Sequence, residues 1–119
     1  MADDDDMPAV DSAEEQIALN ESTFRDVNEA IEAGRRQREG LVPFVCECGR
    51  LGCTAVIEVT LREYEAVRAD SRLFLVQPGH ENEFEELRHE DPRYRVVAKP
   101  EGPLGDIADR TDPRKDENA

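Results

Sequence analysis

The residues able to do chemistry are concentrated in one stretch, Cys46-Glu47-Cys48-Gly49-Arg50-Leu51-Gly52-Cys53, which holds every cysteine of the chain. Downstream, Pro78-Gly79-His80 carries one of only two histidines. Cys46 and Cys48 stand two apart, so on an extended backbone both sulfurs face the same side. Gly49 and Gly52 give the next loop access to positive φ, which lets Cys53 curl back toward the same point. His80 sits in a tight turn after an apolar run and is the expected fourth ligand. Three thiolates and one imidazole form a closed tetrahedral donor set best suited to one Zn2+ per chain. Backbone N–H groups of Gly49, Arg50 and Gly52 are placed to donate to the thiolates, and the Arg50 charge offsets theirs. His89 is the rival fourth ligand, but it lies among Glu85, Glu86, Glu90 and Asp91, the setting of an exposed histidine. A water or a carboxylate, Glu47 or Glu81, is the remaining alternative.

The donor set argues for a staple over a catalyst. A catalytic zinc keeps an open position beside an acid or base, and three thiolates make the ion a weak Lewis acid. No HExxH, no zinc-deaminase pattern, no glycine-rich phosphate loop and no serine elbow occurs. A small metalloenzyme is therefore the weaker alternative. The nearer one is a thiol-based redox or metal-responsive switch, because vicinal cysteines also form reversible disulfides. Three reduced thiols without a ligand are the bland reading. The odd cysteine count speaks against a disulfide framework.

Composition gives a staple something to do. The 119 residues suffice for one small domain, aromatic content is 5%, and there is no Trp. Apolar density is confined to the middle of the chain, and so small a core is marginal alone. A structural zinc adds roughly 10 kcal/mol of apparent binding energy to such a fold. The net charge is −14. Residues 1–40 carry 12 acidic and 4 basic side chains, residues 41–100 carry 11 and 8, and residues 101–119 carry 6 and 3. The acidic flanks repel phosphate, so no nucleic-acid partner is expected. No apolar run reaches membrane-spanning length, so no membrane partner is expected either. The N-terminus is acidic, opposite to a signal peptide. The expected location is cytoplasmic, where thiols stay reduced.

The elements that must position the ligands follow in order. Residues 1–11 read as a disordered acidic head; Asp3 to Asp6 lack the loop of a calcium site. Residues 12–40 read as an amphipathic helix, with Ser12 and Glu15 forming a capping box. Ile17, Phe24, Val27 and Ile31 make a narrow apolar seam, with Asn20 and Gly34 as its weak positions. The seam packs either on the domain's own sheet or on a second copy or unknown protein partner. Arg35, Arg36 and Arg38 read as a solvated helix end. Residues 41–100 read as an α+β domain, a small antiparallel sheet with a short helix, stapled by zinc. Strands are expected near 41–46, 55–60, 72–76 and 94–99, with a helix from Thr60 to about Asp70. The segment 83–90 is ambiguous between helix and strand. Residues 101–119 read as a disordered tail.

The motifs Phe44-Val45-Cys46-Glu47-Cys48, Gly52-Cys53, Glu63-Tyr64-Glu65-Ala66-Val67-Arg68 and Phe74-Leu75-Val76-Gln77-Pro78-Gly79-His80, with the helix Asn20 to Glu29, resemble a family of small uncharacterised bacterial proteins. That family has an N-terminal helix and a C-x-C-x4-C…P-G-H zinc-binding core. The resemblance covers roughly residues 18–99 and implies that Cys46, Cys48, Cys53 and His80 act as one unit. It implies no activity. The sequence thus supports a zinc-binding protein-interaction or regulatory module.

Overall fold

The computed structural model describes residues 12–37 and 39–114. The acidic head, Arg38 and residues 115–119 lie outside the described residues. The fold class is α+β, as the sequence indicates. A long helix, α1 (Ala13–Gly34), precedes a two-stranded antiparallel ribbon of β1 (Leu41–Val45) and β2 (Val56–Thr60). A short helix, α2 (Leu61–Arg68), leads into β3 (Leu73–Val76), β4 (Glu86–Asp91) and β5 (Tyr94–Ala98), which form a second antiparallel sheet in the order β3-β5-β4. Helix α3 (Pro103–Arg110) closes the fold. No helix among the described residues is long and apolar enough to cross a membrane.

Local chemistry sets these boundaries. Ser12 caps α1, its hydroxyl accepting from the Glu15 N–H at 3.1 Å. At α2 the capping box is complete: Thr60 Oγ1 accepts from Glu63 N–H, and Glu63 Oε1 accepts from Thr60 N–H. The ambiguous segment becomes β4, an exposed edge strand, because Asp91 begins a turn that folds it back on β5. Alternation on the ribbon turns Val42, Phe44, Ile57 and Val59 inward. They meet Phe74, Leu75, Val76, Val96 and Val97 from the second sheet, and Phe44 stacks on Tyr64 with ring centroids 4.3 Å apart.

Two expectations are corrected. Helix α1 ends at Gly34, not near Gly40, with the Arg35 N–H closing back on Glu32 O; a glycine without a packing face beyond it is a weak place to continue a helix. The tail from 101 is also not wholly disordered. Leu104 and Ile107 of α3 bury with Ala18 and Leu19 of α1. The chain after α3 is held by charge: buried Arg68 pairs with Asp112, and Arg114 pairs with Glu29 at 2.6 Å and Glu65 at 2.7 Å.

The buried face of α1 is largely polar: Ala18, Leu19, Glu21, Ser22, Arg25 and Asn28. Arg25 is wholly buried, with its guanidinium 4.8 Å from the Phe74 ring centroid. It donates to the carbonyls of Ser71 at 2.6 Å and Ala108 at 3.0 Å, joining α1 to the α2–β3 turn and to α3. The seam residues flank this face. Ile17, Phe24 and Ile31 are half-buried, with Ile31 against the main core, and Val27 is 43% exposed.

Candidate metal centre

Cys46 follows β1, and its N–H continues the ribbon to Ala55 O at 3.1 Å. Its sulfur accepts from the Gln77 N–H at 3.3 Å. The chain then turns through Gly49 (φ 79°) and Gly52 (φ 87°), and Cys53 N–H closes on Arg50 O at 3.1 Å. The Arg50 backbone N–H favours the Cys48 thiolate. Its guanidinium donates to Glu81 O at 3.2 Å, tying the loop to the histidine segment. His80 arrives after β3 on a turn closed by its own N–H to Gln77 O at 2.9 Å.

These paths converge. The ligand atoms of Cys46, Cys48, Cys53 and His80 all lie within 4.8 Å of one another. His80 Nδ1 is 3.6 Å from the sulfurs of both Cys46 and Cys53. Zinc–sulfur and zinc–nitrogen bonds of about 2.3 and 2.1 Å set a tetrahedral S···N edge of about 3.6 Å. The donor set and its spacing therefore fit a four-coordinate metal ion. His89 is not part of the cluster; it sits on β4, its ring centroid 5.5 Å from that of Tyr94.

Burial raises the cost of the thiolates in the absence of a cation. Cys46 and Cys48 are buried, and their thiols are pushed above the ordinary cysteine range chiefly by desolvation. The N–H groups of Gln77 and Arg50 pull in the opposite direction. A divalent cation would supply the charge that these donors only partly provide.

Glu47 is no ligand. The strand alternation that aims Cys46 and Cys48 at one point sends Glu47 to the other side, fully buried. Its carboxylate accepts from Leu75 N–H at 2.9 Å and Asn28 Nδ2 at 2.7 Å, while its own N–H donates to Leu75 O at 2.8 Å. Burial pushes this carboxyl up to about 7 against the pull of those two donors and of Arg25 and Arg68. Glu81 is engaged by Arg95 and by the Gly79 N–H.

Four asparagine contacts brace the site. Asn28 also clamps Val45 from both sides, receiving its N–H at 2.8 Å and donating to its carbonyl at 2.8 Å. Asn20 Nδ2 donates to Gly49 O at 3.0 Å, and Asn82 Nδ2 to Cys48 O at 3.1 Å. Sequence reasoning missed these bracing roles. The available signal was the polar interruption of the α1 seam at Asn20, which is where the cysteine loop lands.

Gly49 meets two demands. Its φ is 79°, and a Cβ there would lie 2.7 Å from both Ile17 O and Glu21 Cγ. Gly52 has only the first, with open space around it. Gly49→Ala should therefore cost more than Gly52→Ala: about 3 kcal/mol against about 1 kcal/mol. Urea unfolding of the two variants measures the difference, and equal midpoints would refute the close approach.

No protein-family model, no curated protein and no solved structure matches the chain. The family resemblance thus has no support beyond the motif residues, and the Cys3His cluster stands on its own geometry.

Proposed function

We propose that Cys46, Cys48, Cys53 and His80 hold one structural Zn2+, and that the stapled domain is a cytoplasmic interaction or regulatory module working through protein contacts. The observation that carries the metal reading is the convergence of four protein donors within 4.8 Å, with Nδ1 at 3.6 Å from two sulfurs. Four protein ligands leave no open coordination position, which favours a structural over a catalytic ion. The site joins the end of β1 to the turn after β3, so an ion there would tie the ribbon to the second sheet. The contact half of the reading rests on the exposed seam residue Val27 and the net charge of −14. Together they suit a protein partner with basic and apolar groups.

Elemental analysis of untagged protein tests the metal, with one zinc per chain expected. His80→Ala should weaken zinc binding roughly 100-fold or more, and His89→Ala should leave it unchanged. Equal effects would undo the ligand assignment; a folded, metal-free protein would undo the reading itself. A photo-crosslinker at position 27 tests the contact surface, and a lack of any specific protein adduct in cells would count against it.

A further inference from the structure

A groove of about 380 Å³ runs between α2 and the β4–β5 hairpin, on a face separate from the sulfur cluster. Its volume falls in the range of small-ligand sites. Val67 and Val96 are buried beneath it, with Leu73 half-buried beside them. The rim carries two arginines and a histidine: Arg62 from α2, and Arg88 and His89 from β4.

Neighbouring residues of a regular strand point to opposite faces, so Arg88 and His89 should not line one groove. The register explains why they do. Leu87 pairs with Val97 and His89 with Val96, which leaves Arg88 as the extra residue of a β-bulge. A bulge re-aims side chains in this way and is common beside binding sites.

The rim departs from the charge of the chain. In a protein of net charge −14, the one carboxylate lining the groove among the described residues is Glu63. Glu63 is already committed, to Arg93 at 2.7 Å and to the Thr60 N–H at 2.9 Å. Arg88 reaches Glu86 on its own strand at 2.7 Å. The Arg62 guanidinium makes no hydrogen bond or ion pair among the described residues. Nor does the Tyr94 hydroxyl, although its ring is buried in the groove wall. Burial, with Glu63 and Asp91 nearby, keeps that phenol protonated and so a donor. An apolar floor, an unpaired guanidinium and an unpaired phenol are complementary to a ligand with an apolar body and one carboxylate.

We propose that this groove binds a small amphipathic carboxylate, with its hydrocarbon on Val67, Leu73 and Val96 and its carboxylate at the Arg62, Arg88 and His89 rim. Octanoate, octanol and octyltrimethylammonium, titrated into the full-length zinc-loaded chain by calorimetry and by NMR of the Tyr94 ring, form the test. Octanoate should saturate one site with a Kd on the order of 0.1–1 mM, octanol should bind about 10-fold more weakly, and the cation should not bind. Arg62→Glu, an exposed change on α2, should weaken octanoate about 10-fold while leaving zinc content and unfolding midpoint untouched. No saturable octanoate binding at 5 mM (roughly five times the upper end of the expected Kd range, or more) would overturn the proposal. So would equal affinity for octanol, or an Arg62→Glu variant that binds octanoate as the parent does.

Discussion

Stripping the metal with a strong chelator, or replacing Cys48 with Ser, should lower the unfolding temperature by about 20 °C or more and abolish the sharp cooperative transition. The argument starts from burial. Cys48 is fully buried and Cys46 nearly so. Without a cation their thiols stay protonated, because desolvation outweighs the two N–H donors. The loop from 46 to 53 would then keep the Arg50 turn and its asparagine braces but lack the proposed ion that would tie it to His80. Both sheets feel the loss, since the Cys46 sulfur also receives the Gln77 N–H at the end of β3. The binding energy of a structural zinc, roughly 10 kcal/mol, is comparable to the whole stability of a domain this size. Calorimetry and circular dichroism, with and without chelator, measure the effect. An unchanged midpoint after verified metal removal would show that the staple is dispensable.

How much of this was legible in the sequence differs by element, for physical reasons. The Cys3His cluster was readable because each requirement of a metal site maps onto a residue type: thiolates two apart on a strand, glycines where the loop must turn, and a histidine in a tight turn. The ribbon and β3 were readable because alternation and β-branching are local. Helix α3 was not. Its eight residues include Gly105, and its apolar positions Leu104 and Ile107 acquire meaning only against Ala18 and Leu19, some 85 residues earlier in the chain. The face of α1 was legible only in part. Its apolar residues at 17, 24 and 31 mark the flanks of the buried stripe, whose centre is Glu21, Arg25 and Asn28. Charged and amide residues at helical spacing look solvent-facing until their distant partners are known, and Ser71, Ala108 and Glu47 are such partners. Glu47 shows the same limit: its position between two cysteines invites reading it as a ligand, whereas pleating makes it a brace.

Lys99→Met should destabilise the protein by about 3–5 kcal/mol, although it exchanges a charge for an apolar side chain of similar length inside the fold. Lys99 Nζ bridges Glu21 of α1 and Glu85 before β4, and all three side chains are fully buried. Its ammonium also lies 5.1 Å from the Phe74 ring centroid and 5.2 Å from that of Phe84. Removing it leaves two carboxylates facing each other without a cation. Two acids and one ammonium leave one negative charge too many, and a proton resolves it. Burial first, and then the hydrogen bond to Glu85, hold Glu21 well above the usual carboxylate range against the pull of Lys99. Glu85 lies below its usual range: burial opposes this, but the bonds from Glu21 and Lys99 prevail. The signs follow by linkage. A carboxyl raised on folding contributes stability that is complete below its unfolded value and fades as pH rises through the folded one, so Glu21 erodes stability on the alkaline side. A carboxyl lowered on folding contributes above its unfolded value and fades as pH falls through the folded one, so Glu85 erodes it on the acid side. Glu21→Gln mimics the protonated acid and should remove the alkaline decline while keeping the acid one. The triad also touches the cysteine loop through Asn82, whose Nδ2 reaches Glu85 at 3.3 Å, Glu21 at 3.5 Å and Cys48 O at 3.1 Å. Urea unfolding of the zinc-loaded parent, Glu21→Gln and Lys99→Met from acid to alkaline pH separates these effects. Parallel curves for parent and Glu21→Gln would mean that folding does not raise the Glu21 carboxyl, and the proton assignment would be wrong.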